Sequence, residues 1–268
     1  MPNAVQSTPV GPTMVKAPSA FLALTELPRA LMELGSLPFA APLLATLPQG
    51  DGHPVIVLPG FVTSDRSTGI LRAFLKRHGY QAHTWNLGRN LGPRAIGREG
   101  EKLLARVQAV YEATGQKVSL VGWSLGGVMA RLVAKRMPDA IRQVITLGSP
   151  FSGSPKATNV WRAYEFLTGQ KVDDDHTRGQ LHEVSAPPPV PSTAIYSRGD
   201  GVVAWQNCCE EIGPMSDNIE VYGSHCGLGV NAAVLYAIAD RLAQAEDAWQ
   251  PFDRSGLRAW VYPSAGHA

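Results

Sequence analysis

Val118-Ser119-Leu120-Val121-Gly122-Trp123-Ser124-Leu125-Gly126-Gly127 is the stretch on which the reading of this chain turns. Val118 to Val121 is a short apolar run, the length of a strand buried on both faces. Leu125 to Met137 continues at helical spacing and stops at Pro138. Between them lies Gly122-Trp123-Ser124-Leu125-Gly126, the one G-x-S-x-G of the sequence. A serine on a sharp strand-to-helix turn stands at the end of a sheet, with helix amides beside it that favour developing negative charge. Such a turn is tight, so the positions two before and two after the serine must be small. Gly122 and Gly126 meet that need, and Ser124 is the candidate nucleophile. The rival reading is a glycine-rich turn with a capping serine; the flanking strand and helix favour the nucleophile.

Outward from this turn the chain alternates. Val55 to Leu58, Ala82 to Trp85, Val118 to Val121, Ile141 to Leu147, Thr193 to Tyr196 and Ile219 to Tyr222 read as strands. Helical patterns cover Thr68 to His78, Glu99 to Ala113, Leu125 to Met137 and Val230 to Ala243. This rhythm predicts a mostly parallel central sheet with helices on both faces. About 45 residues separate the strand ending at Leu147 from the one at Thr193, too many for a plain connection. Residues 151–190 are therefore expected to form an inserted lid. Residues 1–50 read as an N-terminal arm with short helices, 51–248 as the main domain and 249–268 as a C-terminal tail. Residues 1–18, rich in Pro, Ser, Thr and Gly, read as loose. In the arm, Phe21, Leu24, Leu27, Leu31 and Leu34 form an apolar stripe that Pro28 interrupts. Such stripes usually face a core, so the arm is expected to pack on the main domain through it. A flap beside a substrate mouth is the alternative.

A serine hydroxyl needs a base, and the base an orienting acid. Past Ser124 stand His176, His182, His225 and His267. Only His225 follows a late strand and precedes the last helix, at the sheet end where ligand chemistry gathers. His176 and His182 fall in the lid and His267 in the tail, as surface residues. Asp200, between two glycines just past the Thr193 to Tyr196 strand, is the candidate acid. Asp217 and Glu220 are rivals that precede or enter the final strand. An anionic tetrahedral intermediate needs two backbone donors. The amides of Leu125 and of Phe61, in the loop Leu58-Pro59-Gly60-Phe61, are the candidates. Arg89 and Asn90, after the Ala82 to Trp85 strand, are read as a solvated loop, with a place at the border of an apolar acyl pocket as the alternative.

These residues together resemble the α/β-hydrolase superfamily, and more narrowly its bacterial lipase and esterase branch, over roughly His53 to Ala245. Pro59-Gly60-Phe61 stands where that branch usually has His-Gly-x, and Phe151 in Gly148-Ser149-Pro150-Phe151-Ser152-Gly153-Ser154 stands where it usually has histidine. The resemblance implies an α/β-hydrolase fold, ester hydrolysis through an acyl-enzyme, no cofactor and no metal for the chemistry itself. It also implies a small-molecule ester or lipid as substrate. Acyl transfer with the same triad and a non-enzymatic binding protein are the alternatives.

Composition bounds the rest. The 268 residues are 44% apolar and 17% charged, enough for a sizeable core. A net charge of +2 without a basic run argues against nucleic acid as partner. Leu34 to Gly50 is broken by Pro38, Pro42 and Pro48 and is too short to span a bilayer. The start lacks the charged region of a secretory signal, so a cytoplasmic protein is expected. Cys208, Cys209 and Cys226 are no disulfide framework, though a bridge from Cys226 to one of the pair stays open.

Overall fold

Residues 15–263, which the computed structural model describes, are organised around one six-stranded sheet. In chain order the elements are α1 (Ala20–Leu24), α2 (Glu26–Leu44), β1 (Pro54–Leu58), α3 (Gly69–Arg77), β2 (Gln81–Thr84), α4 (Pro93–Ile96), α5 (Glu101–Thr114), β3 (Val118–Trp123) and α6 (Leu125–Arg136). They continue with β4 (Ile141–Leu147), α7 (Trp161–Thr168), α8 (Asp175–Ser185), β5 (Ser192–Tyr196), β6 (Ser216–Glu220) and α9 (Ala232–Leu242). The strand order is β2-β1-β3-β4-β5-β6, and every neighbouring pair is parallel.

Each strand divides its side chains between two cores, as the two-residue period requires. Val55 and Val57 pack with α3 and α9 through Leu71, Leu75 and Ile238. Ile56 and Leu58 face the other way, onto Leu103 and Val107 of α5 and Met129 of α6. Both faces are covered, which is why β1 and β3 are continuous apolar runs. The chain passes from β1 outward to β2 and then back across to β3. The carboxyl ends of β1 and β3 therefore flank a switch point, where open sheets leave a crevice.

The arm departs from expectation in two ways. Its second helix is long, 19 residues, and runs through Pro38 and Pro42. Pro28 does not break it, because it sits in the first turn, where an amide hydrogen has no helical partner anyway. The apolar stripe also points away from the core. Phe21, Leu24, Leu27 and Leu31 are exposed at 68–82%. The arm packs instead through Glu26, Leu37, Ala40 and Leu44 on the opposite face. Polar bonding near Glu26, described below, sets the helix rotation against the hydrophobic period.

The last strand starts earlier than its apolar pattern suggests. Ser216, Asp217 and Asn218 belong to β6, with Ser216 opposite Ser192. Asp217 and Glu220 are thus both strand residues. Between β4 and β5 the chain carries α7 and α8. The three cysteines are free thiols. Residues 1–14, expected to be loose, and His267, expected at the surface of the tail, lie outside the described residues.

Candidate active site

Three loops at the carboxyl end of the sheet carry the candidate residues. The first is the turn from β3 into α6. Ser124 adopts φ 54 and ψ −123, a conformation that costs a non-glycine residue on the order of 1–3 kcal/mol. Its amide donates to Leu147 O on β4 at 2.8 Å, which holds the turn down. The glycines are required by proximity. A Cβ at Gly122 would stand 2.5 Å from Gly126 O, and one at Gly126 would stand 2.5 Å from Leu58 O.

The second loop follows β5. Asp200 is buried, and its Oδ1 accepts from the amides of Val202 at 2.8 Å and Val203 at 2.7 Å. That leaves Oδ2 aimed at His225, 2.6 Å from Nδ1. The third loop follows β6 and carries His225, itself buried. Burial pushes its imidazole pKa down, but the charge and hydrogen bond of Asp200, with Glu26 behind, hold it above the ordinary value. The His225 carbonyl accepts from Trp123 Nε1 at 3.0 Å, so the residue before Ser124 is tied to the base loop. Gly148 lies against the pair, with φ 53; a Cβ there would stand 3.1 Å from both Asp200 Oδ2 and His225 Nδ1.

Among the described residues no hydrogen bond joins Ser124 Oγ to the imidazole. Catalytic contacts of this kind commonly tighten only when substrate is bound. Ser124, Phe61 and Leu125 line one cavity of about 160 Å³. Its walls are mainly apolar, from Val128 and Met129 of α6, Trp161 and Tyr164 of α7 and Leu181 of α8. Leu125 is the first residue of α6, where amides lack intrahelical partners. Phe61 packs on Tyr164, with ring centroids 5.3 Å apart.

The loop of Phe61 is braced by Asn90, which the sequence suggested was solvated. Asn90 is fully buried. Its Nδ2 donates to Pro59 O at 2.8 Å, its carbonyl accepts from Val62 N at 2.8 Å and its amide donates to Thr63 O at 2.7 Å. Only Arg89 of that pair is exposed. Its polarity and its place between Arg89 and Leu91 suggested solvent; nothing in the spacing links residue 90 to residues 59–63.

Glu26 was also missed. It is buried in the first turn of α2 and accepts from the amides of Gly201, His225 and Cys226. His176 and His182 stand on α8, away from Asp200. Asp217 instead binds the C-terminal segment, through Phe252 N and Arg254. Glu220 accepts from Arg198. Phe151, in the place of the expected histidine, is buried under the Arg131 guanidinium, 3.8 Å from its ring centroid. Among the described residues no group of three or more His, Cys, Asp or Glu is arranged to hold a metal ion, and no helix is long and apolar enough to cross a membrane.

Comparison with known proteins agrees with this architecture. A family model described as a PGAP1-like alpha/beta domain matches residues 100–185. A triacylglycerol lipase of Pseudarthrobacter phenanthrenivorans is 34% identical over 109 residues, 38% of this chain and 34% of that protein. A triacylglycerol lipase of Burkholderia plantarii is 34% identical over the same length, 38% of this chain and 30% of that protein. The alignments thus span about a third of the length of these relatives. Among solved structures, a monoacylglycerol lipase of Paleococcus ferrophilus superimposes with a TM-score of 0.52 at 15% identity, over 72% of this chain and 96% of that one. A Bacillus licheniformis lipase gives 0.52 at 16% identity, over 75% and 95%.

Proposed function

We propose that this chain, an α/β-hydrolase-fold protein of lipase-like sequence, is a serine hydrolase that cleaves carboxylic esters through an acyl-enzyme. The observation that carries the reading is the 2.6 Å contact of Asp200 Oδ2 with His225 Nδ1, together with a strained Ser124 that lines an apolar cavity. Asp200 fixes the tautomer, leaving Nε2 as the proton acceptor. Ser124 Oγ attacks the ester carbonyl as its proton passes to His225. The carbonyl oxygen takes the negative charge, and the amides of Phe61 and Leu125 donate to it. Collapse breaks the bond to the alcohol, which leaves with the proton from His225. Water, deprotonated by the same imidazole, then releases the acid.

The apolar wall from α6, α7 and α8 suits the acyl chain of a small ester or a lipid. The segment 151–190 acts as a lid in this reading, because its helices α7 and α8 supply part of that wall.

The test is labelling with a fluorophosphonate together with hydrolysis of p-nitrophenyl esters of graded acyl length. Wild type is expected to label and to show a length optimum; Ser124→Ala is expected to lose labelling and at least about 10⁴-fold in kcat. Equal labelling of both proteins sinks the proposal. Ester products formed with added alcohol in place of free acid would assign acyl transfer instead.

A further inference from the structure

We infer that Glu26, supplied by the N-terminal arm, is a positioning residue that holds the loops of Asp200 and His225 together for proton transfer. The inference rests on the ester-hydrolase reading above. Glu26 Oε1 accepts from Gly201 N at 2.7 Å and from His225 N at 3.1 Å. Its Oε2 accepts from Cys226 N at 2.8 Å. One carboxylate thus joins the residue after the candidate acid to the candidate base and its neighbour. Arg29, one turn further along α2, donates to Glu26 Oε1 at 2.9 Å and to Gly199 O at 2.6 Å. The residues on both sides of Asp200 are therefore bound from α2.

A carboxylate is suited to this place and a neutral side chain is not. It is acceptor-only, with lone pairs enough for three amides and a guanidinium. Burial pushes its pKa up, yet the amides of Cys226, Gly201 and His225 hold it below the ordinary value, so it is ionised at neutral pH. An apolar replacement would strand three buried donors. The arm has an evident reason to bury this group. Phe21, Leu24, Leu27 and Leu31 face out while Glu26 and, further along, Glu33 face in; Glu33 Oε1 accepts from Ser224 N at 2.7 Å. The base loop is therefore gripped at residues 224, 225 and 226 from one helix.

The consequence for the relay is geometric and electrostatic. The 2.6 Å contact between Asp200 and His225 depends on two loops that follow different strands. Besides that contact, Ser197 Oγ bridges them by donating to Gly223 O at 2.7 Å. Glu26 places a charge beside the imidazole as well. The charged and titratable groups around His225 are Asp200 from the β5 loop, Glu26, Arg29 and Glu33 from α2, and the Cys226 thiol of its own loop, which burial pushes up to about 12.

The test compares full-length wild type, E26Q, E26D and S124A with p-nitrophenyl butyrate across pH, with circular dichroism and thermal melts on each. E26Q keeps the volume but turns an amide donor toward Cys226 N–H and removes the charge. Its kcat is expected to fall about tenfold to a hundredfold with KM nearly unchanged. The acid limb of its kcat/KM profile is expected to move to lower pH, because the imidazole loses a stabilising anion. E26D keeps the charge but not the reach, so its kcat falls while its acid limb stays. A folded E26Q with wild-type kcat and an unmoved acid limb overturns the inference. If E26Q does not fold, a folded E26D with wild-type kcat overturns it equally. Failure of the ester-hydrolase reading is separate, since it appears as a wild type no more active than S124A.

Discussion

Val62 holds φ at 56, a region where a β-branched residue is a genuine outlier. It follows Phe61, and its amide donates to the Asn90 carbonyl. The turn that aims the Phe61 amide is thus strained and kept so from outside. Asn90 supplies the restraint with its amide, its carbonyl and both ends of its side chain, the Oδ1 accepting from Gly92 N at 3.1 Å. Asn90→Ala removes the bond to Pro59 O while the backbone contacts remain. In the proposed mechanism, where the Phe61 amide is an oxyanion donor, it is expected to lower kcat by about tenfold or more with a smaller change in KM, since such a donor acts chiefly in the transition state. Steady-state kinetics checks this; a change confined to KM would mean that Asn90 shapes the cavity and does not aim the donor. Asn90 and Glu26 share the reason they were illegible. Each bonds backbone groups far away in the chain, Asn90 the Pro59 carbonyl and Glu26 the amides of residues 201, 225 and 226, and such a contact leaves no periodicity or motif. Ser124, Asp200 and His225 were nameable because each sits at a strand end in a fixed order along the chain.

At the scale of elements, Arg131 joins α6, the helix that follows Ser124, to the end of α8. Its guanidinium is fully buried, donates to Val184 O at 2.6 Å and Ala186 O at 2.9 Å, and pairs with the buried Glu210. A buried pair is costly to break, because the partner left behind has neither water nor a counter-charge. Arg131→Met is expected to destabilise by about 3–5 kcal/mol. In a thermal melt that is a fall of roughly 10 °C for a chain of this size. A melt unchanged within error would show that Glu210 and the carbonyls find water. Elements were legible where burial wrote the pattern. β1, β3 and β4 are covered on both sides and read as apolar runs. β6 did not, because it is an edge strand. Asn218 is a side-chain ladder there, its Oδ1 accepting from Glu210 N at 2.7 Å and its Nδ2 donating to Glu210 O at 2.9 Å. Polar residues that pair a neighbouring segment in this way look like a loop in sequence. The α2 stripe misled for the opposite reason, since three amide donors outweighed the apolar face in setting its rotation.

Over the whole molecule the α/β-hydrolase fold brings the ends of β1, β3, β5 and β6 to one edge, and that edge sets the pH response. The layer order followed from the strand–helix rhythm, but the docking of α2 across the β5 and β6 loops did not, because the carboxylates of Glu26 and Glu33 bind backbone amides there and the apolar stripe faces out. Asp200 at the imidazole and Glu26 behind it outweigh the desolvation of His225, which holds its pKa above the ordinary histidine value. The proposed mechanism needs the imidazole neutral. The acid limb of kcat/KM is therefore expected above the ordinary histidine value, read as initial rates from about pH 5 upward. Stability carries the reverse sign. A group whose folded pKa is raised contributes stability that is complete below its unfolded pKa and is lost as pH rises through the folded one. In the proposed mechanism the imidazole thus becomes competent over the same interval in which its charge stops holding the two loops. An acid limb at or below 6.5 would mean that burial wins at His225, and that Glu26 and Asp200 orient the imidazole without raising its basicity.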